Sequence, residues 1–278
     1  MLEFYKTTKK PDIKKLLFNE SVAPYNAFSG TLVLTNELPQ IKELKKYISS
    51  DTKILTVSGS GEQPLFFKMY GAKNVITFDI SFTSYLVTSL KMSAIQIFTT
   101  NTEYNMFLDD LYTIKTLDDL SQKKYLSKAV QNLNEENKFY MEKTILYQDR
   151  RGLLYRNSSC NFYSLNQKEF DLLRKSLKTN IPFIWTDIER LYKGIYKEKF
   201  DIIYYSNILS FKESSSFNKI LENAKQHLTS TGKFVITLEP RNLDKIQNAV
   251  KDVFLRGFDV KILPQKEYFQ QMIVQPVR

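Results

Sequence analysis

Between Lys53 and Asp79 the chain reads KILTVSGSGEQPLFFKMYGAKNVITFD. An apolar run ends in Ser58-Gly59-Ser60-Gly61, and a second apolar run ends on Asp79, 18 residues after Gly61. Glycines at a strand-to-helix turn let the backbone come close to a ligand, and an acid at the tip of the next strand can accept hydrogen bonds from ribose hydroxyls. The spacing predicts a nucleotide site, although two glycines alone also suit a plain tight turn. Two further strand ends carry polar groups of the same kind. Asp187 and Ile188 follow the run Ile181–Trp185, and Ser206-Asn207 follow Phe200–Tyr205.

Those residues need a scaffold that brings strand ends together, and the hydrophobic pattern predicts one. Ile54–Val57 reads as a first strand, Glu62–Tyr70 as a helix ended by Gly71, Val75–Phe78 as a second strand and Phe82–Phe98 as a long helix. Ile181–Trp185 and Phe200–Tyr205 read as strands three and four. Ser216–Leu228 is a helix, Lys233–Leu238 a fifth strand after a Ser230-Thr231-Gly232 turn, and Leu243–Phe254 a helix. Asp259–Leu263 and Gln271–Val277 form a closing strand pair. The expected fold class is therefore α/β, a Rossmann-like, doubly wound, mostly parallel sheet with an antiparallel C-terminal strand pair and a helical insertion.

Residues 1–50 read as a helical lead-in, with Ile41, Leu44, Tyr47 and Ile48 at helical intervals in a segment expected to cover the sheet edge. Residues 51–100 and 181–278 are expected to form the ligand-binding domain. Between them, residues 101–180 show helical patterns at Met106–Ile114, Leu117–Leu133 and Gln167–Leu177 and no evident parallel strand. So long a connection predicts an insertion concerned with substrate recognition. Its run Arg150-Arg151-Gly152-Leu153-Leu154-Tyr155-Arg156-Asn157 suits either an acidic substrate or a solvated loop.

Composition sets limits. A single cysteine, Cys160, excludes an intramolecular disulfide and a thiolate zinc cluster, and points to a reducing compartment. The start MLEFYKTTKK lacks the apolar core of a signal peptide and no 18 apolar residues run together, so a cytoplasmic protein without a transmembrane segment is expected. The net charge of +10 invites nucleic acid as a partner. Its distribution does not favour one: basic residues exceed acidic ones by three in residues 1–50, one in 51–100, two in 101–180 and four in 181–278. The densest cluster, Lys6, Lys9, Lys10, Lys14 and Lys15, includes Asp12 and suits a solvated helix equally well. Asp109-Asp110 and Asp118-Asp119 are expected to be helix caps and solvated faces rather than metal ligands, so no metal is expected. His227, the one histidine, is expected to be solvated or capping.

With Gly59, Gly61, Asp79, Asp187, the run FDIIYYSNIL and the run HLTSTGKFVIT on the page, the chain resembles the class I S-adenosylmethionine-dependent methyltransferase superfamily. The resemblance covers roughly residues 38–100 and 181–278. It implies S-adenosylmethionine as cofactor, held by Ser58, Gly59, Ser60, Gly61, Glu62, Asp79, Ile80, Asp187, Ile188 and Ser206. Asp79 would meet the ribose and Asp187 the adenine amino group. Asn207 and Tyr205 are the residues expected to touch the acceptor, since ligands in open α/β sheets sit beyond the carboxyl ends of strands.

The likeness has departures. The family places an acid two residues before the first loop glycine, where Val57 stands, and a third glycine where Gln63 stands. The contact to the methionine amino group is thereby moved, with Glu62 as its expected bearer. LTVSGSGEQPL and FDISFTSYLVTSLKMSAI are also similar to the bacterial family related to betaine-lipid synthases, which implies transfer of the 3-amino-3-carboxypropyl arm rather than the methyl. The acceptor is expected to be a small molecule or lipid-like. The alternatives are an RNA methyltransferase and a non-catalytic cofactor-binding protein.

Overall fold

The computed structural model describes residues 2–5, 31–32, 37–146, 154–155, 165–238, 243–255, 257–263 and 270–277. The lysine cluster at positions 6–15 and Cys160 lie outside them, as does the 150–157 run apart from the backbone of Leu154–Tyr155. Among the described residues no helix is long and apolar enough to cross a membrane.

The strands are β1 (Leu2–Phe4), β2 (Thr31–Leu32), β3 (Lys53–Val57), β4 (Asn74–Asp79), β5 (Leu154–Tyr155), β6 (Ile181–Trp185), β7 (Phe200–Tyr204), β8 (Leu228–Leu238), β9 (Phe258–Ile262) and β10 (Gln270–Pro276). Eight of them form one sheet in the order β1-β6-β4-β3-β7-β8-β10-β9. All pairs are parallel except those made by β10, which runs antiparallel to both β8 and β9. The mostly parallel sheet with a C-terminal antiparallel pair is thus present, with one refinement. The antiparallel strand sits inside the sheet rather than at its edge.

Side-chain alternation divides the sheet into two cores, as the two-residue period of a strand requires. On β7, Ile202 and Tyr204 face one cluster while Ile203 and Tyr205 face the other. The first cluster is covered by α1 (Leu38–Leu44), α2 (Glu62–Met69) and α3 (Phe82–Ile97). The second lies under α9 (Leu191–Gly194), α10 (Phe217–Gln226) and α11 (Leu243–Phe254). Helix α3 is buried from Phe82 to Ile95 because a further helical layer packs on its outer side: α4 (Asn101–Thr113), α5 (Leu117–Gln122), α6 (Lys124–Gln131), α7 (Glu135–Leu146) and α8 (Gln167–Ser176). Leu108, Val130, Met141 and Phe170 of that layer join Leu86 and Leu90 in one continuous core. Each such fully buried Leu or Phe contributes about 1.5–3 kcal/mol, so the layer shares its core with the sheet's own helices.

Several expectations are corrected by local chemistry. The Leu117–Leu133 pattern is two helices, because Lys123 leaves helical space at φ −89° and ψ 82° and the Asp110 carboxylate caps the second helix by accepting from the amides of Tyr125 and Leu126 at 3.0 and 3.2 Å. Asp119 completes a capping box with Thr116, while Asp109 and Asp118 are exposed. Helix α7 fell outside the named patterns. The fifth strand begins earlier than expected, at Leu228, and Ser230-Thr231-Gly232 falls in an irregularity of β8, where Leu228 to Lys233 spans only Phe200 to Ile202 and a Cβ on Gly232 would stand 2.8 Å from the Phe200 carbonyl and 3.0 Å from the Thr229 nitrogen. The 101–180 span does hold a parallel strand, β5, which pairs with β2 of the lead-in. Helix α1 and the 3₁₀ turn Lys45–Tyr47 lie over the sheet face against α2, not on the edge, since Leu38, Ile41 and Leu44 are all core. His227 caps α10 but is buried, its ring 4.2 Å from that of Tyr192.

Candidate functional site

Strand β3 feeds β4 on one side of the sheet and lies beside β7 on the other, so the order of connection reverses at β3. Crevices beyond the carboxyl ends of strands at such a reversal are where open α/β sheets bind ligands. Three polar segments converge there: Ser58–Gly61 after β3, Asp79–Ser81 after β4, and Ser206-Asn207 after β7.

The first segment is a compact turn. The Gly61 amide donates to the Ser58 carbonyl at 2.7 Å, and both glycines have positive φ, +52° at Gly59 and +85° at Gly61. Gly61 also lies against α3: a Cβ there would stand 2.8 Å from the Thr88 Cα, a backbone atom that cannot swing aside. Gly61 starts α2, and Ser58 Oγ meets Thr88 Oγ1 at 2.9 Å. The second segment is tied to the first. Asp79 accepts from the Gly59 amide (2.9 Å, Oδ2) and from the Ser81 amide (2.9 Å, Oδ1), while Ser84 Oγ donates to the Gly59 carbonyl. Burial pushes the Asp79 carboxyl up to about 6, against the pull of these backbone hydrogen bonds. The Ser84 side chain and the Ile80 amide also donate to this carboxylate, so four donors hold it.

Glu62 and Ser60 are turned inward. Glu62 pairs with Lys91 of α3 at 3.1 Å, with the Lys91 side chain fully buried, and Ser60 Oγ lies 3.3 Å from the same carboxylate. Burial holds the Lys91 ammonium below its ordinary range, with Glu62 opposing. Ile80 is half-buried and its carbonyl accepts from the Trp185 indole N–H at 2.8 Å, which joins the tips of β4 and β6. Asp187 is part-exposed and bound by Lys212 Nζ at 2.7 and 2.9 Å. Ile188 is buried in the second core.

Of the residues expected to touch an acceptor, Asn207 is half-buried at the rim, its Oδ1 3.4 Å from Ser206 Oγ. Tyr205 is corrected. Its side chain is fully buried, its ring lies edge-on to Phe78 and Phe234, and its hydroxyl bonds that of Tyr192, because one step along β7 turns a side chain to the opposite face. It is a core residue.

A residue that sequence reasoning missed completes the site. Glu37, immediately before α1, is only 2% exposed. Its carboxylate accepts from Gln63 Nε2 at 2.8 Å, from Ser206 Oγ and from the Tyr204 hydroxyl, which also lies 3.1 Å from Thr237 Oγ1. Burial raises its pKa, and those donors oppose the rise. The signal was an acid directly before Leu38-Pro39 at a helix start. Assigning that helix to the sheet edge hid it. Ser206 itself, at φ +52°, is the one non-glycine with positive φ among the described residues.

The donors and acceptors suit a polar organic ligand. Among the described residues no cluster of His, Cys, Asp and Glu could hold a metal ion. A cavity of about 310 Å³ between Tyr47, Asp51, Thr52, Asp201 and Lys233 lies at the amino ends of β3, β7 and β8, the opposite end from the glycine turn.

No family model and no curated protein matches the chain. Solved structures similar to it include a ribosomal protein L11 methylase from Lactobacillus delbrueckii subsp. bulgaricus, 12% identical, covering 88% of this chain and 81% of that one at a TM-score of 0.43. An rRNA methylase from Streptococcus thermophilus is 11% identical, with 88% and 99% covered and a TM-score of 0.42. A magnesium protoporphyrin IX methyltransferase from Synechocystis, solved with bound SAM, is 10% identical, with 87% and 80% covered and a TM-score of 0.41. The strand order, rather than these likenesses, carries the fold.

Proposed function

We propose that the chain is an S-adenosylmethionine-dependent transferase of methyltransferase-like fold acting on a small-molecule or lipid-like acceptor. The observation that carries this reading is the 2.9 Å bond from the Gly59 amide to the Asp79 carboxylate, which makes the glycine turn and the acid one unit at the point where the strand order reverses. When bound, S-adenosylmethionine supplies a sulfonium whose methyl or aminocarboxypropyl carbon is open to in-line displacement.

The chain's own groups fit that cofactor. Asp79, tied to the glycine turn at the tip of β4, is the acid that would meet the ribose hydroxyls. Ile80 and Trp185 offer an apolar border for a purine. Asp187 can take the adenine amino group once Lys212 yields part of its hold. Asn207, at the rim, orients an acceptor as donor and acceptor of hydrogen bonds. Positioning a nucleophile in line at about 3–3.5 Å supplies most of what such a displacement needs, which suits a site without a histidine: His227 is buried against Tyr192 near the amino end of β8.

Calorimetry with S-adenosylhomocysteine tests the cofactor, and binding is expected. Incubation of the protein with S-adenosylmethionine and cell extract, followed by mass spectrometry, then reads the group transferred. S-Adenosylhomocysteine as product means methyl transfer and methylthioadenosine means transfer of the aminocarboxypropyl arm. Absence of cofactor binding would overturn the reading.

A further inference from the structure

We propose that β9 is the interface of a two-fold dimer, in which it pairs antiparallel with β9 of a second copy of this chain and joins the two sheets edge to edge. The dimer is independent of the cofactor reading, because β8 and β10 separate β9 from the crevice between β3 and β7.

The backbone sets the geometry. The Leu263 amide donates to the Gln271 carbonyl at 2.8 Å, and the Val277 amide to the Gly257 carbonyl at 3.0 Å. Successive residues of an antiparallel strand turn their backbone groups to alternate sides. Those of Gly257, Asp259, Lys261 and Leu263 therefore face β10, and those of Phe258, Val260 and Ile262 point outward. Among the described residues no strand takes up that outward row. A row of open amides and carbonyls is a template for a further strand.

The side chains select which strand. Asp259 and Lys261 are exposed on one face of β9, while Phe258, Val260 and Ile262 share the other. A two-fold axis at Val260 brings Val260 opposite its own counterpart and Phe258 opposite the partner's Ile262. These are the residues whose backbone groups point outward, so each such pair exchanges two hydrogen bonds. The same rotation sets Asp259 opposite the partner's Lys261 on both sides of the axis. Those positions fall between hydrogen-bonded pairs, where facing side chains come closest and opposite charges stabilise the pairing. The neighbouring registers fail. An axis at Asp259 or at Lys261 confronts like charges, which is destabilising. The order Asp-Val-Lys is thus complementary to its own reversal in one register, and a second copy supplies that complement by symmetry.

Exposed apolar side chains gather at the same edge. Leu255, Ile262 and Val277 are 74%, 38% and 65% exposed. Leu255 directly follows α11, the helix that covers the face on which Phe258 and Val260 pack against the second core. By alternation Ile262 lies on that face too. The two-fold axis lays the Phe258 end of one strand, with Leu255 and Val277 beside it, against the Ile262 end of the other. Burying these side chains together extends the second core across the axis.

Sedimentation equilibrium of the full chain over a concentration series tests the dimer. The wild-type protein is expected at twice its 32.7 kDa. Asp259→Lys and Lys261→Asp each set like charges opposite one another and are expected to weaken association more than about tenfold. In a mixture of the two variants every facing pair is again of opposite sign, so a heterodimer is expected to form. Val260→Pro removes an amide that β10 does not use, and is expected to abolish the dimer while circular dichroism shows the monomer folded. A wild-type protein that is monomeric throughout would leave this edge to a strand of another protein and overturn the proposal. A dimer that survives both charge reversals and Val260→Pro would overturn it as well, and so would a mixture of the two variants that stays monomeric.

Discussion

Asp79 and Asp187 end adjacent parallel strands, β4 and β6, and on paper they are the same feature: an acid at a strand tip facing a ligand crevice. Their surroundings are opposite. Asp79 is buried, its oxygens are fixed by two backbone amides, and the cost of burying it raises its pKa to about 6. Asp187 is partly exposed and clasped by the Lys212 side chain from the segment after β7. A group fixed by backbone is built in when the chain folds. A group held by a side-chain ammonium within reach of solvent can change partners at less cost than one fixed by backbone, since ion pairs at the surface contribute about 0–1 kcal/mol. The β4 tip is therefore the rigid wall of the crevice and the β6 tip its adjustable one.

The severest test of the rigid wall is Gly61→Ala. With φ at +85° and the new Cβ 2.8 Å from the Thr88 backbone, both conformation and packing oppose it, and a loss on the order of 3 kcal/mol is expected in urea unfolding. A fully stable variant would show that the turn is not seated on α3, and the contrast with the β6 tip would lose its basis. Next comes pH. The Asp79 pKa is raised on folding, from 3.8 to about 6, so its protonated form favours the folded state. That contribution is complete below about pH 4 and is lost as pH rises through about 6. Relative to Asp79→Asn, wild-type stability is expected to fall by about 2 kcal/mol between pH 4 and 7. The variant's own offset, from an amide NH₂ facing one of two backbone donors, is constant with pH and drops out of the slope. A flat difference would mean that Asp79 is solvated after all.

Trp185→Phe probes the link between the two walls. Loss of the indole bond to the Ile80 carbonyl is expected to cost about 1 kcal/mol and to weaken S-adenosylhomocysteine severalfold, and an unchanged affinity would make the walls independent. The smallest expected effect is that of Lys212→Met, below about 1 kcal/mol in stability and smaller still in high salt. A loss of several kcal/mol would make Asp187 as fixed as Asp79 and erase the comparison.

What the residues disclosed in advance follows the same division. Strands read from local alternation lie where expected: Ile181–Trp185 to the residue, and β3 and β4 within a residue or two. Both glycines needed their backbone freedom, and Asp79 stands at its strand tip. What local pattern could not carry was contact across the chain. Glu37 and Ser206 are 169 residues apart, and nothing near either announces the other. Tyr204 and Tyr205 were indistinguishable polar aromatics at a strand end until the sheet assigned them faces, and both proved core. Lys123 carries no helix-breaking side chain. The break there comes from Asp110, which belongs to another helix. Gly232 marked a bend in the chain, but its close approach to the Phe200 carbonyl of the neighbouring strand could not be read from it.

The order of strands has a consequence for biosynthesis. Strand β9 pairs only with β10 among the described residues, yet it precedes β10 in the chain. During translation, at roughly 5–20 residues per second, β8 and β9 both emerge before the strand that must lie between them. For that interval the growing chain presents two unsatisfied edges, one of them the long apolar β8 with Val235 and Ile236 at its centre. Asp259 and Lys261 lie within β9, where charge discourages pairing with the wrong neighbour.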